Sequence, residues 1–307
     1  MLALATALFL AASVGANAQS AFGGIETDLP DIDLPNLNQY APALPDGIDA
    51  FDQREIRMEA RLSEDSAVLT HGLVWRVFET VPGDDGRLPL AATAEGGAAQ
   101  FQLRPGEYYI HCAFGRAAVT RKLTIPAQGV VENQSLILDA GGLSLSALSG
   151  EDGRIPPEDL SFSIYAATPD ANGERGLIVA DVKPNTIVRL NAGRYHVVSD
   201  YGALNASVRS DIYIEPGKLT EATIQHRAAQ LTLKLVANEG GEAIADTAWS
   251  VLTASGDPIS ETVGAFPSLV LAEGNYTAIA RNKDRVYQRD FTVTAGVNTD
   301  IEVLLTQ

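Results

Sequence analysis

The chain has almost no cysteine and little positive charge, and each shortage excludes a class of function. Its 307 residues include a single cysteine, Cys112. One thiol allows no intramolecular disulfide and no thiolate-rich metal site. Lys plus Arg number 22 against 39 Asp plus Glu, a formal net charge of −17. Nucleic-acid phosphates need Lys and Arg, so no nucleic-acid partner is expected, and a basic membrane-surface protein is excluded on the same ground. Histidine is scarce: His71, His111, His196 and His226 are the whole supply, and no two stand at metal-ligand spacing. No metal or cofactor is therefore expected. There is no Gly-x-Ser-x-Gly elbow, His-Glu-x-x-His, phosphate-binding P-loop or dinucleotide fingerprint. The sequence nominates no catalytic residue and reads as a non-enzyme.

What is present begins with an export signal. Leu2 to Val14 is apolar, and Ala16-Asn17-Ala18 has the small-x-small pattern of a signal-peptidase site. Cleavage after Ala18 is expected, although no Lys or Arg precedes the apolar run. The mature chain, with no transmembrane segment, would then work in a periplasm or outside the cell. Residues 19–52 are acidic, with prolines at 30, 35, 42 and 45 that forbid a continuous helix or an inner strand. They are read as a disordered linker.

Beyond the linker the sequence repeats. Leu-x-x-Gly-x-Tyr occurs at Leu103–Tyr108, Leu190–Tyr195 and Leu271–Tyr276. Upstream stand three aromatic residues, Trp75, Phe162 and Trp249, spaced 87 and again 87 residues apart. Downstream, a turn glycine returns at Gly129, Gly217 and Gly296. Three landmarks in one order, three times over, define three tandem units, bounded at 53–140, 141–228 and 229–307. Within each, apolar residues alternate, as in Tyr108-Ile110-Cys112-Phe114 and Leu231-Leu233-Leu235. Period two means strands with one buried face. Pro105-Gly106 suits the centre of a type II turn. About seven short strands per unit predict an all-β chain of three antiparallel β-sandwiches, with the signature tyrosine and the upstream aromatic of each unit in its core. Cys112, alternating with Ile110 and Phe114, is read as a buried apolar residue.

The signature followed by an alternating strand resembles transthyretin-like and carboxypeptidase-regulatory-like β-sandwich domains, over about residues 55–307. That resemblance implies a seven-stranded, Ig-like sandwich and little about function, since such domains serve as spacers, adhesin stalks and appendages. Related adhesin repeats carry a Lys–Asn crosslink. Lys234 and Asn298 stand near the implied places, but Lys234 lies between Leu233 and Leu235 and so points away from the core. No crosslink is expected.

The remaining candidates are surface features. Asp170-Ala171-Asn172-Gly173-Glu174 and Asp84-Asp85-Gly86 have the oxygen-rich look of calcium loops, but turns use the same residues. Phe78, Tyr109 and Tyr165 are apolar side chains at outward positions and form the candidate contact surface, with packing against a neighbouring unit as the alternative. The joints at 139–142 and 227–230 are short, the first holding Gly141 and Gly142, which permit bending, and the second being the stiffer. The sequence reads as an exported, non-catalytic binding or scaffolding rod of the bacterial envelope whose partner is an envelope protein or a surface polymer. An adhesin or glycan-binding protein is the alternative, and an envelope hydrolase a third.

Overall fold

The computed structural model describes residues 53–151 and 153–306. The expected signal peptide (1–18) and acidic linker (19–52) lie outside the described residues. Unit 1 contains β1 (Arg54–Arg61), β2 (Leu73–Glu79), β3 (Leu90–Gly96), β4 (Ala99–Leu103), β5 (Gly106–Phe114), β6 (Ala117–Ile125) and β7 (Gln134–Ile137). Unit 2 contains β8 (Ala140–Ser149), the two-residue β9 (Gly153–Arg154), β10 (Leu160–Ala166), β11 (Leu177–Val182), β12 (Ile187–Asn191), β13 (Gly193–Tyr201), β14 (Ser207–Ile214) and β15 (Leu219–His226). Unit 3 contains β16 (Ala228–Val236), β17 (Thr247–Thr253), β18 (Pro258–Val263), β19 (Ser268–Ala272), β20 (Gly274–Asn282), β21 (Arg285–Val293) and β22 (Thr299–Leu304). Among the described residues, no helix is long and apolar enough to cross a membrane.

Each unit pairs a small sheet with a four-stranded one. The small sheets run β4-β1-β7, β12-β8-β15 (with β9 beside β8) and β19-β16-β22. The four-stranded sheets run β3-β2-β5-β6, β11-β10-β13-β14 and β18-β17-β20-β21. The three Ig-like sandwiches expected from the sequence are therefore present, and their small sheets are mixed. The last strand of each unit runs parallel to the first, β7 on β1, β15 on β8 and β22 on β16. Setting aside the two-residue β9, each unit has seven strands that reverse direction in turn, so its first and last must point the same way.

Alternation puts the core where the sequence placed it. Trp75, Phe162 and Trp249 are fully buried, each between the two sheets of its own unit. A buried indole must satisfy its N–H: Trp75 donates to the Gly97 carbonyl at 2.9 Å and Trp249 to the Gly264 carbonyl at 3.0 Å. The signature tyrosines form tyrosine corners. Tyr108, Tyr195 and Tyr276 donate their hydroxyls to the carbonyls four residues back, Arg104 at 3.1 Å, Asn191 at 2.9 Å and Ala272 at 2.9 Å. Tyr108 and Tyr276 are buried, whereas Tyr195 is only half-buried and faces the part-buried Ile212. The unit 2 tyrosine thus anchors a corner more than a core.

Two local expectations need correction. Gly106 has φ 159, an extended value, and opens β5 directly. Pro105-Gly106 is not the centre of a type II turn, because β4 and β5 belong to different sheets and the chain crosses the sandwich there. Gly141 and Gly142 are not a bending point either: both are buried inside β8. A Cβ on Gly141 would lie 2.3 Å from the Glu215 carbonyl oxygen, so that glycine admits close packing of the neighbouring chain.

Candidate functional site

The predicted contact residues lie on the outer faces of the four-stranded sheets. Phe78 on β2 stands directly opposite Tyr109 on β5, and both are half-buried. Leu90 flanks Phe78 on β3, and Lys122 flanks Tyr109 on β6. Tyr165 occupies the same place in unit 2, between Leu177 and His196, and His196 in turn faces Asp211. His196 Nδ1 lies 2.7 Å from Asp211 Oδ1, and this contact holds the exposed carboxyl below its usual range. In unit 3 the equivalent residues are Leu252 and Thr277. The structure thus brings Phe78 and Tyr109 together and leaves Tyr165 in the neighbouring unit.

The other candidates resolve into local structure. Asp170 Oδ1 accepts hydrogen bonds from the amides of Asn172 and Glu174, both at 2.9 Å, so the first acidic loop spends its carboxylate on its own turn. Asp85 does the same for the amide of Arg87. Lys234 pairs with Asp300, and Asn298 accepts the amide of Gln230 at 2.9 Å. His111 contacts Thr120 across the sheet, and its basicity is lowered by burial and then by Arg76. Cys112 is fully buried, and burial pushes its thiol up to about 12. Among the described residues, no group of three or more His, Cys, Asp or Glu is arranged to hold a metal ion.

Sequence reasoning placed the two short joints but missed the side chains that lock them. Only Leu138 and Asp139 separate β7 from β8, and only Arg227 separates β15 from β16. At the first joint, the Asn191 side chain accepts the Ala118 amide at 3.1 Å and donates to the carbonyls of Ala118 at 3.2 Å and Leu138 at 2.9 Å. The Arg189 guanidinium lies 4.6 Å from the centre of the Phe114 ring, a cation–π contact between units. At the second joint, Asn205 accepts the Ala272 amide at 3.0 Å and donates to the Tyr276 hydroxyl at 2.9 Å. Val270 of unit 3 packs into the core of unit 2, while Leu204 packs on the core of unit 3.

The turn at Gly202 makes this fit. Its φ is 69, and a Cβ there would lie 2.8 Å from Val270 Cβ. Glycine is needed twice over, for the left-handed backbone and for the close approach. Beside this joint a cleft of about 740 Å³ opens between units 2 and 3, with Asp159, Asp181, Lys183, Ser260 and Glu261 in its wall.

A family model described as the Rhizobiales growth-associated tandem repeat domain matches residues 230–305, which is unit 3 from β16 to β22. No curated protein matches the sequence. Solved structures similar to the chain include the Bacillus anthracis TIE protein, 15% identical, with a TM-score of 0.23 over 83% of this chain and 50% of that one. The chain therefore spans half the length of that protein. A streptococcal ancillary pilin is 10% identical, with a TM-score of 0.30 over 82% of this chain and 98% of the other. The shaft pilin SpaA from Lactobacillus rhamnosus GG is 9% identical, with a TM-score of 0.21 over 82% and 97%.

Proposed function

We propose that the protein is an exported, non-catalytic binding or scaffolding component of the bacterial envelope. In this reading three sandwiches form a rod that holds a contact surface at a fixed distance, and its partner is an envelope protein or a surface polymer. The observation that carries the reading is the pair of asparagine clamps at the joints. A binding module alone has no need of units locked in orientation, whereas a spacer does. The surplus of acidic residues disfavours nucleic acid as the partner.

Small-angle scattering on residues 53–307 tests the reading. Strand rise over three units gives an elongated particle of roughly 70–110 Å. A compact particle of roughly 50–60 Å by the same strand arithmetic, or a broad distribution of lengths, would reject the rod.

A second reading, adhesion or glycan binding, draws support from the Phe78–Tyr109 pair, since paired aromatic faces on a sheet suit sugar rings. A glycan array with the Phe78→Ala/Tyr109→Ala variant as control separates the two readings. Binding lost in the variant favours adhesion, and no binding by either form favours the scaffold.

A further inference from the structure

Unit 2 differs from its neighbours at one end of its core. His226, the last residue of β15, is 1% exposed, and Ser199 on β13 is 0% exposed. His226 Nε2 lies 2.7 Å from Ser199 Oγ. Equivalent positions follow from the strand registers: Arg61 pairs with Ile137 and Val236 with Leu304, just as Leu148 pairs with Gln225. His226 therefore replaces Leu138 of unit 1 and Leu305 of unit 3, and Ser199 replaces Cys112 and Ala280. Two units fill the spot with apolar side chains. Unit 2 fills it with a base and a hydroxyl, and Ser149, also buried, stands nearby where unit 1 has Leu62.

This polar pair sits under the joint. The turn between β13 and β14 carries Gly202, Leu204 and Asn205, all of which engage unit 3, and is closed by the Tyr201 amide donating to the Ala206 carbonyl at 3.0 Å. The His226 ring touches both feet of that turn. It meets the Tyr201 ring edge-on at 5.9 Å. Its Nδ1 has no partner at full hydrogen-bond geometry, and the main chain at Ala206 favours a proton on the ring less than burial opposes it. Two residues further along the chain, Ala228 begins unit 3.

We propose that His226 makes the joint between units 2 and 3 acid-sensitive: a proton on its ring unseats the β13–β14 turn and releases the hold of Gly202 and Asn205 on unit 3. A charged imidazolium needs two acceptors and solvation, and this site, almost closed to water, supplies one hydroxyl and a main-chain contact at Ala206 that burial outweighs. The groups around it do little to compensate. Asp200 favours the charged ring, but it projects from the other face of β13 and already accepts a hydrogen bond from Ser207. Tyr201 is neutral, with its own proton held more tightly by burial and then by Asp159. Arg227, next along the chain, is paired with Glu273. Burial is the largest influence on His226 and lowers its basicity. The unfolded or opened chain therefore takes up the proton first. The contribution of His226 to stability is complete above its ordinary value of about 6.5. It is lost as the pH falls from there towards the lowered folded value.

Hydrogen exchange of the whole mature chain at pH 7.5 and pH 5, corrected for intrinsic rates, tests this. Protection of the Tyr201 and Ala272 amides should fall by up to about tenfold per pH unit within that window. The Ala118 amide at the first joint should change less than about twofold, there being no equivalent base beneath it. The His226→Leu/Ser199→Ala variant, which installs the unit 3 residues, should abolish the acid response of the second joint. Equal pH responses at the two joints, or an unchanged response in that variant, would overturn the proposal. Should the variant fail to fold, the wild-type His226 imidazole signal decides. Titration together with the loss of joint protection supports the device, and titration with the joint intact rejects it.

Discussion

Asn191 and Asn205 lie on opposite sides of the same joint position. In the first joint the asparagine belongs to the following unit and grips Ala118 of the preceding one; in the second it belongs to the preceding unit and grips Ala272 of the following one. Asn205 is the repeat equivalent of Ala118, 87 residues on, and Ala272 is that of Asn191, 81 residues on. The repeats have kept one amide per joint while exchanging which unit supplies it.

The exchange makes the clamps separable. Asn191→Ala removes three hydrogen bonds at the first joint and leaves the Ala118 main chain without them. A cost of about 1–3 kcal/mol is expected, read as loss of exchange protection at Ala118 with the second joint unaffected. Asn205→Ala should produce the mirror result at Ala272.

The tyrosine corners should differ in weight. Tyr276→Phe loses the bond to the Ala272 carbonyl and also strands the Asn205 amide, whereas Tyr108→Phe loses only the bond to Arg104. Each neutral hydrogen bond is worth about 0.5–1.5 kcal/mol. Chemical denaturation should therefore show the unit 3 variant to be the more destabilised.

Truncation of the core aromatics should unfold single units. Trp249→Ala opens a cavity among Leu231, Leu233 and Val303 and leaves the Gly264 carbonyl without its donor. A loss of about 3–5 kcal/mol in unit 3 is expected. Calorimetry should show one transition moved to lower temperature.

The thiol of Cys112 should be inert in the folded protein. Burial raises it to about 12, so almost none is thiolate at neutral pH. Alkylation should be at the level of background until denaturant unfolds unit 1, and then run to completion. Rapid labelling of native protein would mean that β5 opens locally.

The repeat, the strand alternation and the buried aromatics were legible because each is a periodic signal read three times. Trp75, Phe162 and Trp249 stand at matched spacing, and burial follows from alternation alone. The contacts across the joints were not legible, since Asn191 and Asn205 are unlike the residues at their own repeat positions and only the meeting of two units gives them partners. His226 was visible as a residue near a joint. Its burial was not, because the end of a strand carries no alternation to extrapolate. Gly141 and Gly142 misled for the opposite reason: as a pair they look like a hinge, and in the fold both lie inside β8, where Gly141 makes room for the Glu215 carbonyl.

The parallel pairing of first and last strands has a mechanical consequence. Tension applied through the chain enters a unit at the start of its first strand and leaves at the end of its last, at opposite ends of one parallel ladder. The hydrogen bonds between those strands are then loaded in shear and must yield together, whereas a hairpin pulled at its open end would peel apart one bond at a time. All eight residues of β15 lie along β8, six residues of β22 along β16, and only four residues of β7 along β1. Under load, unit 1 should part first and unit 2 last, so the middle of the chain is its strongest link.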